Sequence, residues 1–223
     1  MRPNPIVRRA LVLATLWTVF AIPAVAAGGA ESRTQKARGG AGLRAGQWTV
    51  RDLTTPSGGE DTETLAFEGY FQKGLDLHLA VENTIGFWQR SQSWTETGGP
   101  FDIEFDTDVY LVPTLTTLKA YPFTRPTSPI EPYLSAGVGV VMGIERGKAT
   151  SSDPLSSPDE STSLRTGLGT EVGGGLEMLL GGSFGLTFGA GYRWASFGED
   201  VGGRRMYRGS VLEAGLTYRY RYQ

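Results

Sequence analysis

The chain contains one histidine, His78, two positions after Asp76 and four before Glu82. A histidine aligned by an acid and facing a serine performs acyl transfer or lipid hydrolysis. No serine-containing motif accompanies His78, and the absence of cysteine excludes thiolate nucleophiles, thiolate metal sites and a disulfide framework. The expectation is a histidine satisfied by its acidic neighbours, with no catalytic residue and no enzyme. A lipid-modifying enzyme stands as the third reading, tested by substituting His78.

A second constellation is Asp102, Glu104, Asp106 and Asp108, alternating with Ile103, Phe105 and Thr107. On a strand these four carboxylates share one face, and hard divalent cations take oxygen ligands of this kind. A two-residue stagger spreads them over roughly 20 Å, so a solvated acidic edge is the favoured reading and the cation site the weaker one. Further acids fall in connecting segments: Glu60, Asp61 and Glu63; Asp153, Asp159 and Glu160; Glu199 and Asp200. Such a crown could meet divalent cations or a surface ligand. Gly137-Val138-Gly139 and Gly167-Leu168-Gly169 lack the strand-then-helix context and the Gly-Lys-Ser/Thr of nucleotide loops, so no cofactor is expected. With 21 basic and 23 acidic residues the net charge of −2 makes no case for nucleic acid.

These residues sit on segments that alternate with period two, the mark of half-buried strands. The clearest is the last, where Leu212, Ala214, Leu216, Tyr218, Tyr220 and Tyr222 oppose Glu213, Gly215, Thr217, Arg219 and Arg221. Similar alternation runs through Leu75 to Phe87, Leu134 to Glu145, Leu168 to Leu180 and Phe184 to Ala195. Thr64 to Lys73 is less regular, Val109 to Tyr121 alternates if a bulge near Thr116-Thr117 resets it, and Leu43 to Leu53 is the weakest. Eight strands result, each near the roughly 9 to 11 residues that a tilted strand needs to cross a bilayer. Short connections (Lys73-Gly74, Gly181 to Ser183) and a medium one (Phe123 to Ile130) alternate with long ones (Thr55 to Glu63, Ser91 to Asp102, Gly147 to Thr162, Glu199 to Tyr207). That puts tight turns at one end of a barrel and loops at the other.

The amino terminus assigns a destination. Arg2, Arg8 and Arg9 precede an apolar run from Ala10 to Ala27 that closes on Ala24-Val25-Ala26, the pattern of a cleaved secretory signal. Its removal leaves a net charge of about −5. The organisation is therefore a signal peptide over 1–27, a mobile periplasmic leader over 28–42 and a barrel domain over 43–223.

Facing decides between two barrel classes. A soluble carrier buries its apolar face, whereas a membrane barrel turns it outward. Here the polar face carries Gly137, Gly139, Gly173, Gly175, Gly189 and Gly191, which suit a narrow interior, while the apolar face carries bulky residues and aromatics near strand ends. The fold class is then all-β, an eight-stranded antiparallel up-and-down transmembrane β-barrel. Its lumen should receive Arg51, Glu68, Asp76, His78, Glu82, Lys119, Glu145, Glu171, Glu177, Arg193, Glu213, Arg219 and Arg221 as an ion-pair network that plugs it.

The run Leu111 to Phe123, LVPTLTTLKAYPF, followed by Pro132 to Gly139, PYLSAGVG, resembles the central hairpin of OmpW-like small outer-membrane barrels. The charged interior resembles the OmpA and OmpX type more closely, and Gln223 stands after the final aromatic Tyr222. The resemblance implies an outer-membrane protein of a double-membrane bacterium, with lipid and the barrel-insertion machinery as partners. The expected role is structural or surface-interacting; a narrow conduit for small solutes or hydrophobic molecules is the alternative.

Overall fold

The computed structural model describes residues 38–51, 60–63, 65–96, 102–123, 129–151, 159–181 and 183–221. The signal segment and most of the leader assigned above lie outside them. The first strand begins at Arg38, so the last five leader residues belong to the barrel.

Alternation produces strands in chain order: β1 Arg38–Val50, β2 Glu60–Glu63, β3 Ala66–Gly74, β4 Leu79–Glu96, β5 Ile103–Ala120, β6 Ile130–Ser151, β7 Asp159–Gly181, β8 Phe184–Val201 and β9 Arg204–Arg221. Among the described residues there is no helix. Both β2 and β3 lie along β4, the first opposite Arg90 to Ser93 and the second opposite Ala80 to Phe87. They are two parts of one stave, and the barrel has eight. Each stave is antiparallel to its neighbours, and β1 closes the ring on β9 from Arg38 opposite Arg221 to Val50 opposite Gly209. Closure removes the unpaired edges that an open sheet would expose.

The bulge expected near Thr116-Thr117 is absent. Thr116 faces Val138 and Thr117 faces Gly137 within an unbroken register. What changes there is chemistry, because the inward face of β5 runs Val109, Leu111, Pro113, Leu115 and then Thr117 and Lys119, apolar above and polar below. A switch of polarity on one face imitates a switch of face.

Three connections also differ from expectation. β6 and β7 remain paired as far as Ala149 opposite Asp159, so much of the loop assigned to Gly147 to Thr162 is strand. Likewise, strand occupies Ser91 to Glu96. The connection assigned to Glu199 to Tyr207 is a turn of two residues, Gly202 and Gly203, with φ of 56° and 73°, the positive values that tight hairpins require.

The exterior is apolar. Leu43, Phe67, Ile85, Leu118, Leu134, Val138, Leu168, Val172, Leu176, Phe188, Leu212 and Leu216 all point outward and stay exposed. On β8 the outward row runs from Phe184 to Trp194, about 33 Å along the strand and about 25 Å along the axis at a usual tilt. Aromatic pairs mark its two ends. Phe184 meets Tyr218 at 5.5 Å in the end with tight turns, and Tyr192 meets Trp194 at 4.6 Å in the other.

The interior has two layers. Toward the loop end, Trp48, Trp88, Val109, Leu111, Val141, Phe197, Val201 and Tyr207 form a buried apolar cluster. Toward the tight-turn end the lumen is charged, with Tyr121 and Tyr133 beneath. At some positions there is no room for a side chain: a Cβ on Gly139 would lie 2.0 Å from the Thr114 carbonyl oxygen.

Candidate functional site: the ion-pair network of the lumen

Period-two facing delivers one charged residue or more from each stave to the lower lumen. Arg44 comes from β1, Glu68 from β3, Glu82 from β4, Lys119 from β5, Glu131 from β6, Glu171 and Glu177 from β7, Arg193 from β8, and Glu213 and Arg219 from β9. Arg44 Nη1 donates to Glu213 Oε1 at 2.7 Å, its Nη2 donates to Glu82 Oε1, and Glu68 lies 3.9 Å away. Lys119 Nζ bridges Glu82 Oε2 at 2.7 Å and Glu177 Oε1 at 3.2 Å. Arg193 Nη2 reaches Glu68 Oε1 and Glu171 Oε2, both at 2.5 Å. Arg219 Nη2 joins Glu131 at 2.8 Å to Glu177 at 2.5 Å. These contacts form one continuous chain of charge across the barrel.

Neutral groups complete it. The Tyr121 hydroxyl donates to Glu177 Oε1 at 2.9 Å and accepts from Gln72 Nε2 at 2.9 Å. Tyr70, Thr187 and Thr217 bond to one another through their hydroxyls. The Arg44 guanidinium stands 4.0 Å from the Tyr70 ring centre, and the Lys119 ammonium 4.3 Å from that of Tyr133. Buried charges persist only when paired and hydrogen-bonded, and this shell supplies the extra bonds. The network ties staves together.

Of the thirteen residues assigned to the lumen, eight meet in this network: Glu68, Glu82, Lys119, Glu171, Glu177, Arg193, Glu213 and Arg219. Asp76 and His78 are a correction, since both are exposed in the β3 to β4 turn. There Asp76 Oδ1 accepts the backbone N–H groups of His78 at 2.6 Å and Leu79 at 2.8 Å, so the aspartate shapes the turn and His78 has no place inside. Arg51 is also corrected. It shares the outward parity of Leu43, is exposed, and stands 5.7 Å from the outward Tyr192 ring centre. Glu145 points inward but belongs to the upper layer, where its Oε2 accepts the Gly202 N–H at 2.9 Å. The Arg221 side chain lies outside the described residues.

Two members of the network, Arg44 and Glu131, were missed. Arg44 shares a face with Trp48 and Val50, a polar and apolar mixture that conceals its facing. Glu131 precedes Pro132 at the very start of β6. The acidic ladder stays at the surface: Asp106 faces Lys148 and Asp108 faces Arg146 across the β5 to β6 pairing, and Asp108 accepts a bond from Ser91 Oγ at 2.5 Å. Among the described residues no three or more acids or histidines gather around a point that could hold a metal ion.

No family model matches the chain, and no curated protein does. Solved structures similar to it include the attachment invasion locus protein Ail of Yersinia pestis, at 13% identity over 83% of this chain and 99% of that one, with a TM-score of 0.44. The translocator domain of the autotransporter NalP from Neisseria meningitidis is similar at 10% identity over 95% and 98%, also with a TM-score of 0.44. The outer-membrane protein OprG from Pseudomonas aeruginosa is similar at 14% identity over 85% and 97%, with a TM-score of 0.39.

Proposed function

We propose that this chain is an outer-membrane β-barrel protein with a closed lumen, whose role is structural or surface-interacting. The observation that carries the reading is the inversion of polarity. Leu134, Leu168, Leu212 and Leu216 are each more than half exposed on the outside, while Arg44, Glu82, Lys119, Glu177 and Arg193 are buried within. A soluble barrel with that exterior would present an apolar surface all round, far beyond the few hundred Å² that soluble monomers tolerate. In a bilayer the same belt meets hydrocarbon, and the aromatic pairs at its two ends meet the interfaces.

The buried interior favours a closed barrel over a conduit, because a buried apolar cluster lies above a buried layer of ion pairs among the described residues. On this reading lipid surrounds the belt, and the barrel-insertion machinery receives the carboxy-terminal strand. Differential fractionation followed by gel electrophoresis of heated and unheated samples tests it. The expected result is an outer-membrane protein with a heat-dependent mobility shift and no steady conductance in planar bilayers. A soluble periplasmic protein without the shift would turn the reading toward a ligand carrier.

A further inference from the structure

Among the described residues the network divides into two halves. Arg44 and Arg193 serve Glu68, Glu171 and Glu213, while Lys119 and Arg219 serve Glu82, Glu177 and Glu131, with Arg44 also touching Glu82. Among the described residues the first half sets two cationic side chains against three carboxylates. One half has a cavity beside it. Tyr133, Ser135, Glu171, Gly189, Gly191 and Glu213 line a space of about 10 Å³, room for one water-sized particle by the usual measure of about 10 to 15 Å³.

Glu213 commits one oxygen to Arg44. Its other, Oε2, is buried without a hydrogen-bond partner, and the side chain is only 8% exposed. Glu171 adds a second carboxylate, tied to Arg193 through Oε2. Glycine keeps the space open: a Cβ on Gly189 would stand 2.8 Å from Glu213 Oε1 and 3.1 Å from the Tyr133 hydroxyl. The lining carries oxygen from Glu213, Glu171, Ser135 and Tyr133 beside the apolar Val211 and Ala190, and oxygen donors with one unmatched negative charge suit a small hard cation. A divalent ion would overcompensate a single excess charge. We propose that this pocket binds one monovalent metal cation of sodium or potassium size, held by Glu213 and Glu171 with the hydroxyls of Ser135 and Tyr133, which completes the charge balance of that half of the lumen.

The test uses the full chain folded in detergent micelles. Thermal unfolding is followed in sodium chloride and in N-methyl-D-glucamine chloride at equal ionic strength, with 23Na line broadening as the direct probe. Sodium at ten times its dissociation constant should raise the midpoint by about 3 to 6 °C, and the line should broaden and be sharpened again by potassium. Glu213→Gln should abolish both effects, whereas Glu104→Gln in the exposed ladder should leave both intact. Should Glu213→Gln fail to fold, Ser135→Ala and Gly189→Ala, which remove a ligand and fill the pocket, should each weaken sodium binding at least fivefold. Equal midpoints in the two salts without broadening would overturn the proposal. So would a Glu213→Gln protein of undiminished stability alongside a sodium-insensitive parent, the signature of a proton on Glu213 in place of a metal ion.

Discussion

Arg193 on β8 meets Glu68 on β3 across the lumen at 2.5 Å, although β9 and β1 separate their staves in the ring. The same guanidinium holds Glu171 on β7, so one side chain ties three staves. Removing it leaves Glu171 without this partner and Glu68 with only the longer contact to Arg44, the situation that makes a broken buried ion pair cost about 3 to 5 kcal/mol. Arg193→Ala should therefore lower stability by that amount in denaturant titrations of the folded barrel. Adding Glu68→Gln should recover part of the loss. A single-substitution loss below about 1 kcal/mol, the range of exposed pairs, would show that water reaches the network.

Most staves were legible because period-two alternation survives translation into structure when one face is apolar along its whole length. β8 and β9 are of this kind, and their facing in the barrel is the facing read from the residues. The failures share a cause. On β1 the inward face mixes Arg44 with Trp48 and Val50, and on β5 it passes from Leu115 to Thr117 and Lys119. A lumen with an apolar upper layer and a charged lower one mixes both chemistries on a single face, so polarity alone stops reporting direction. The pairing of Arg193 with Glu68 was likewise hidden, since local alternation does not specify which staves meet across a closed ring.

The outward row of β8 gives a depth-dependent test of the membrane reading. Phe188 stands within the apolar belt and Ser196 beyond the aromatic pair of Tyr192 and Trp194. Arginine on a lipid-facing strand costs about 2 to 4 kcal/mol at the midplane and about 0 to 1 near the interface. Phe188→Arg should accordingly destabilise the barrel in lipid vesicles by the larger amount, and Ser196→Arg by the smaller. Equal penalties would remove the bilayer from the explanation.

The two interior layers separate stability from closure. Trp88 is fully buried, donates its Nε1–H to the Trp48 carbonyl at 3.2 Å and meets the Trp48 and Tyr207 rings at 5.5 and 6.1 Å. Trp88→Ala should cost about 3 to 5 kcal/mol by opening a cavity. The charged layer below remains in place, so conductance in planar bilayers should stay at the parental level. A steady current from this variant alone would assign the seal to the apolar layer.

The tip of the β8 to β9 hairpin crosses the mouth of the barrel, and its two glycines make that docking measurable. Gly202 donates its N–H to Glu145 on β6, and a Cβ there would lie 2.3 Å from Val109 Cγ2 on β5. Gly203 also has positive φ but nothing within 4 Å of a Cβ. Both substitutions to alanine pay the left-handed backbone penalty of about 1 to 2 kcal/mol. Only Gly202→Ala must also displace Val109 and lift the tip. Gly202→Ala should therefore be the more destabilised of the two in denaturant titrations, and trypsin should cut it faster at Arg204 and Arg205. Identical losses and identical cleavage rates in the two variants would mean that the tip is free of the mouth, because backbone strain would then account for the whole effect.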